Sequence, residues 1–274
     1  MLLLFIMTGL SSISLASFFV VRRFFPKFLT TEMSPAFGVM GTSYGFLLGF
    51  SIAILWQNYT AATNVTAAEA ANFSLIINDV QLLKPDDQLK LIKGLKDYIT
   101  IVKNEEWEAM KWGESAPMAW KSIHDVTDSM RSIQPESPLE KLAYDSIYKE
   151  IGNVVENRSK RIQAIETILP FGVKVLLIIG AIFIVYSISV NDTKNKINHI
   201  MSILMVSFLL AFNLTLAFVL AYPFAGENRV PGKGLIDVIP VRLKLIEKVL
   251  KEKQQAQEEV KKNPPVESKS SSPH

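Results

Sequence analysis

The chain has 274 residues, a net charge of +3 and no cysteine, with 49% hydrophobic residues. That apolar share exceeds what a soluble domain of this charge needs, while the missing cysteine excludes disulfides, thiolate metal sites and cysteine nucleophiles. No block is basic enough to suggest nucleic acid.

The apolar residues are clumped into four runs: Met1 to Val21, Ala36 to Trp56, Leu169 to Val190 and His199 to Tyr222. Each approaches the ~20 residues that carry a helix across the bilayer core. They predict an all-α membrane protein with four transmembrane helices and a helical extramembrane bundle inserted between the second and third spans. A cleaved signal peptide is the rival reading of the first run, but no basic residue precedes it and no small-residue cleavage pattern follows.

The first hairpin turns at RRFFPKFLTTEMSP, where Ser34 can cap the second helix and Pro35 suits its first turn. Beyond Trp56 the helical pattern continues without Gly or Pro as far as Pro85, so the second span predicts a long stalk outside the membrane. A second outer helix starts at PDDQ, with two aspartates at its positive end, and stops near Gly113; a shorter third opens at Pro117. The fourth begins at SPLE, a capping box of Ser137 and Glu140, and runs almost directly into the third span with a kink expected at Pro170. The carboxylates of this bundle read as solvated helix faces. After the fourth span come a Gly/Pro-rich turn and an amphipathic helix from about Val241 to Lys262. The expected boundaries are 1–56 for the first hairpin, 57–169 for the bundle, 170–222 for the second hairpin, 223–262 for the turn and basic helix, and 263–274 for a disordered tail.

His124, His199 and His274 are too dispersed to pair on a metal, and no nucleophile pattern accompanies them. GENRVPGKG superficially resembles a phosphate loop, but five residues separate Gly226 from Gly232 and Gly234 stands where a Ser or Thr should bind magnesium. The expectation is a protein without catalytic residues, metal or cofactor. Two polar side chains lie inside spans: Asn213, read as an interhelical hydrogen bond, and Lys174, which can snorkel to the interface.

Gly41, Gly45 and Gly49, continued by Ala53, drift over about 120° of the second span, a smooth row suited to close helix packing. The opposite side carries Ser43, Leu47, Phe50, Ile54 and Asn58, polar at both ends and bulky between. Around an axis this stripe would form an apolar constriction between polar mouths. The alternative is contact with lipid or neighbouring helices. Basic residues near the span ends do not decide the orientation: Arg22, Arg23, Lys27, Lys194 and Lys196 lie on one side, and Arg158, Lys160, Arg161, Arg229, Lys233 and Arg242 on the other.

WQNY at the end of the second span, Glu69-Ala70 ten residues past Tyr59, and PFAG (Pro223 to Gly226) followed by Val230 resemble the bacterial bestrophin-like membrane proteins over about Met1 to Pro240. Ala221 and Tyr222 stand where relatives usually carry an acidic residue and an arginine. The resemblance implies a bestrophin-type homo-oligomer, a pentamer by analogy, in the bacterial inner membrane, with the bundle and tail in the cytoplasm. It also implies inorganic ions as the partners, anions by analogy, with the second span lining the pore. Two functions therefore stand: an oligomeric ion channel, or a non-conducting scaffold or sensor that binds partners through its bundle and tail.

Overall fold

The computed structural model describes Ser12, Ala16, Arg23 and residues 34–166, 169–190, 195–226 and 229–262. The described residues form helices joined by turns and short loops, without strands. Among the described residues, three helices are long and apolar enough to cross a membrane: α1 (Ser34–Asp79), α5 (Phe171–Val190) and α6 (Lys196–Ala221). The expected first span, Met1 to Val21, falls outside the described residues apart from Ser12 and Ala16. The disordered tail expected over 263–274 also lies outside them.

The chain divides into two compact units, one made of 1–62 and 164–230, the other of 63–163 and 231–274. In the first, Tyr44, Leu48 and Leu55 of α1 pack with Leu177 and Ala181 of α5 and with Leu214 of α6. Tyr44 lies directly on Gly180, where an added Cβ would collide with the ring. The Tyr44 hydroxyl donates to Leu177 O at 2.7 Å. Hydroxyls along the spans bond back one turn, as Ser51 does to Leu47 O and Thr215 to Ala211 O, so they need no water. Asn195 caps α6 by accepting from the amides of Ile197 and Asn198.

The second unit contains the outer part of α1 with α2 (Pro85–Ile101), α3 (Pro117–Arg131), α4 (Pro138–Gln163) and α7 (Ile239–Lys262). Its core gathers Phe73 and Ile76 of α1, Leu95 of α2, Ile123 of α3, Ile147 of α4 and Leu243 of α7. Helix α2 packs against both α3 and α7. It continues through a π-helical turn, Val102–Glu106, to a stop at Gly113, whose φ of 83° suits a residue without a Cβ. In the expected capping box Glu140 N donates to Ser137 Oγ, but the Glu140 carboxylate accepts from Glu136 N, one residue earlier than the usual arrangement.

The long unbroken helix is present: α1 runs for 46 residues, about 69 Å, and passes directly into a 3-10 turn at Val80–Leu82. The junction into the third span differs from the expectation. Helix α4 ends at Gln163 and α5 starts at Phe171, so Pro170 marks a full interruption rather than a kink. Proline disfavours helix for the residue before it and supplies a good start for the residues after it, and here Pro170 O accepts from the amides of Val173 and Lys174.

Candidate pore-lining helix and buried charge cluster

Two features of the helices bear on function, one in each unit. In the first unit, α1 keeps an uncovered row of Ser43, Phe46, Phe50, Ala53, Gln57 and Thr60, spaced alternately three and four residues apart. A repeat of 3.5 residues stays on one side of a helix, so the row runs nearly straight along it. The Phe46 and Phe50 rings stack along it with centroids 6.4 Å apart. No charged residue occurs in α1 before Glu69.

Of the stripe expected from the sequence, Ser43 and Phe50 lie in this row, with Phe50 59% exposed. Leu47, Ile54 and Asn58 are partly buried, and Leu47 packs against the core. The Asn58 side-chain nitrogen is shielded without a hydrogen-bond partner. The centre of the exposed row is therefore rotated toward Phe46, Ala53 and Gln57.

The glycines of the expected packing row lie off the exposed row, while Ala53, which continues them in the sequence, belongs to it. Gly41, Gly45 and Gly49 line an apolar cleft of about 390 Å³ together with Tyr44, Ile184 and Asn213. A Cβ built on any of the three glycines meets nothing within 4 Å, and Ala53 is exposed. Within one chain the close helix contact thus falls at Gly180. Asn213 forms no hydrogen bond to any described residue through its side chain. Lys174 donates to the Tyr222 hydroxyl at 3.0 Å and sits 4.9 Å from that ring's centroid.

In the second unit, four charged side chains are wholly buried: Glu69 of α1, Glu106 of the π-helical turn, and Arg158 and Arg161 of α4. Arg161 Nε donates to Glu69 Oε2 at 2.7 Å and its Nη2 to Glu106 Oε1 at 2.9 Å. Arg158 Nε donates to Glu106 Oε1 at 3.2 Å, and its Nη2 is paired with Glu106 Oε2. Tyr98 of α2 donates its hydroxyl to Glu69 Oε1 at 3.2 Å. The cluster is neutral overall, the arrangement that makes buried charges tolerable.

Two tryptophans close it: the Arg158 guanidinium lies 4.2 Å from the Trp120 ring centroid, and that of Arg161 lies 5.5 Å from Trp107. Burial alone would lower the Arg161 pKa, but the charge and hydrogen bond of Glu69, with Glu106 behind them, outweigh it and hold the group above its ordinary value. Tyr98 is pushed well up, first by burial and then by the charge of Glu69, so its hydroxyl remains a donor.

This cluster corrects the reading of the bundle carboxylates as solvated faces, since Glu69 and Glu106 have no solvent contact. It also removes Arg158 and Arg161 from the tally of free basic residues near the span ends, because their charges are cancelled internally. The signal was periodic. In α4 the buried positions Ile147, Ile151 and Val154 continue at the same spacing into Arg158 and Arg161, and in α1 the positions Ala62 and Thr66 lead to Glu69 and Phe73.

A family model, the Bestrophin-like domain, matches residues 8–235. The chain belongs to the bestrophin-like family. The bestrophin-like fold recurs in solved structures at low identity. A tryptophan-to-alanine variant of a bacterial bestrophin homologue from Klebsiella pneumoniae superposes with a TM-score of 0.69 at 13% identity, covering 90% of this chain and 97% of that one. A tryptophan-to-phenylalanine variant of that homologue gives 0.71 at 11% identity, with 90% and 100% covered. A membrane protein carrying a glycine-to-alanine substitution gives 0.69 at 13% identity, with 89% and 98% covered. Comparison with curated proteins finds no match.

Proposed function

We propose that the chain is the protomer of a homo-oligomeric ion channel for anions, with copies of α1 surrounding the axis and the row through Phe46 and Phe50 forming its apolar constriction. The observation that carries this reading is the uncovered, charge-free row on an unbroken helix that extends from the span into the bundle. A soluble protein would have to cover such a row, whereas a ring of copies turns it into a lined path whose apolar section gates by dewetting. Membership of the bestrophin-like family supports it. Anions are favoured because the row holds no carboxylate to attract cations, while Ser43 and Gln57 offer hydrogen-bond donors. By the same analogy the ring is a pentamer in the bacterial inner membrane, with the bundle and tail cytoplasmic.

The test is ion flux from liposomes holding the purified protein. A chloride gradient should dissipate slowly with the wild type and faster with Phe50→Ala, which widens and wets the constriction, while a sodium gradient should persist. Background flux from both proteins, with the oligomer intact, would replace the channel by the non-conducting scaffold. Sodium flux without chloride flux would leave a channel but reverse its selectivity.

A further inference from the structure

The described large apolar side chains most exposed to solvent are Trp112 at 85%, Phe171 at 81%, Phe46 at 77% and Ile197 at 73%. Phe171 and Ile197 belong to candidate membrane spans, where lipid covers such surface, and Phe46 belongs to the row proposed above to line the axis. Trp112 belongs to the bundle. It ends the helical run from α2, just before the left-handed Gly113, and the loop after it returns at Met118, also more than half exposed.

The position of this loop within its unit identifies what covers it. Arg161 Nη1 contacts Met110 Sδ at 2.9 Å, and Arg158 Nη2 contacts Ala116 O at 3.5 Å, so residues 110–116 lie beside the last two turns of α4. From there the chain leaves the unit after Gln163 and begins a span at Phe171, a stretch of eight residues that reaches at most about 28 Å. The same end of the unit receives α1, because Arg161, which contacts Met110, also bonds Glu69, six residues past the entry of α1 at Thr63. Trp56, itself exposed, precedes Thr63 by seven residues of unbroken helix, about 10 Å. The far end of the bundle, the loop 132–137, is held near the start of α2 by Lys84 on Glu136 and Lys90 on Ser132.

We propose that the loop from Trp112 to Met118 is a membrane-contact site, with the Trp112 indole seated in the headgroup layer of the bilayer. Tryptophan favours that layer because its body is apolar while its N–H keeps a polar partner there. The loop is not an electrostatic anchor: Lys111 is already engaged by Glu108, and the exposed Glu114 opposes the exposed Lys121. Its contact is made by apolar and aromatic surface, and it fixes the end of the bundle that holds the buried charge cluster against the bilayer.

The full chain in phosphatidylcholine liposomes tests this, with and without lipids brominated near the headgroup. The wild type should lose a component of tryptophan emission to bromine that Trp112→Phe lacks; equal quenched fractions in the two proteins would overturn the proposal. The natural absence of cysteine permits a second, independent reading with a single nitroxide. At Trp112→Cys the label should meet lipid-borne oxygen and be shielded from an aqueous nickel chelate, while at Gln134→Cys the preference should reverse. Equal aqueous access at the two positions would overturn the site. Shielding from both probes with spin coupling between copies would also overturn it, assigning Trp112 to a contact with a second copy instead.

Discussion

Arg161 Nε lies 2.7 Å from Glu69 Oε2 with both side chains wholly buried, a bond that ties α4 to the helix that continues into the membrane. Removing one member strands the other in a low-dielectric interior. Glu69→Ala should cost about 3–5 kcal/mol, read as a fall in thermal midpoint in detergent. Replacing both, as in Glu69→Leu with Arg161→Met, should cost much less than the two single changes summed, because Glu106 and Arg158 remain as a neutral pair. Additive losses would show that the bond is not the dominant partner of either residue.

Gly232 has a structural reason that a phosphate-loop reading would miss: a Cβ there would run into the Trp107 indole. Gly232→Ala should destabilise the bundle by about 1–3 kcal/mol through overpacking, measured by the same thermal midpoint. Wild-type stability would mean that Trp107 moves aside freely.

Gly45 poses the opposite case, since its added Cβ meets nothing within the chain. Gly45→Leu should leave helix content and protomer stability unchanged while disturbing assembly, because a branched side chain obstructs a surface suited to close helix approach. Size analysis in detergent checks this. An unaltered oligomer would remove the glycine face from the assembly interface.

Glu247 of α7 is bonded by Lys251 and Lys96, both at 2.7 Å, and these bonds hold its pKa down at about 2 from an ordinary 4.5. A carboxylate lowered on folding stabilises the native state above its ordinary value, and the contribution is lost as pH falls through the folded value. The wild type should therefore exceed Glu247→Gln in thermal midpoint near neutral pH, with the gap closing between about 4.5 and about 2. A gap independent of pH would contradict the assignment to these ion pairs.

The lengths and periods of the helices were legible because a long apolar run and a regular 3-4 spacing are local properties. The 46-residue α1 and the start of α3 at Pro117 follow from them directly. The rotation of the exposed row toward Phe46 was not, since it depends on which neighbours bury Leu47, a tertiary fact. The charge cluster was half legible. The spacing places Arg158 and Arg161 on the buried face of α4, but their partners Glu69 and Glu106 are 92 and 52 to 55 residues away in the chain. Tyr44 against Gly180 likewise joins two spans that sequence spacing alone does not align.

Whether α1 lines a water-filled axis is read by chemical modification of a single cysteine at position 50, because the chain contains no other thiol. Liposomes with Phe50→Cys should conduct chloride, and a charged, water-soluble thiol reagent should sharply change that flux. The same reagent should leave the wild type unaffected, along with Ile182→Cys on the exposed face of α5. Chloride flux through Phe50→Cys that is indifferent to the reagent, or a position 50 that reacts only with lipid-soluble reagents, would place this row away from a water-filled axis and rule out α1 as the pore lining.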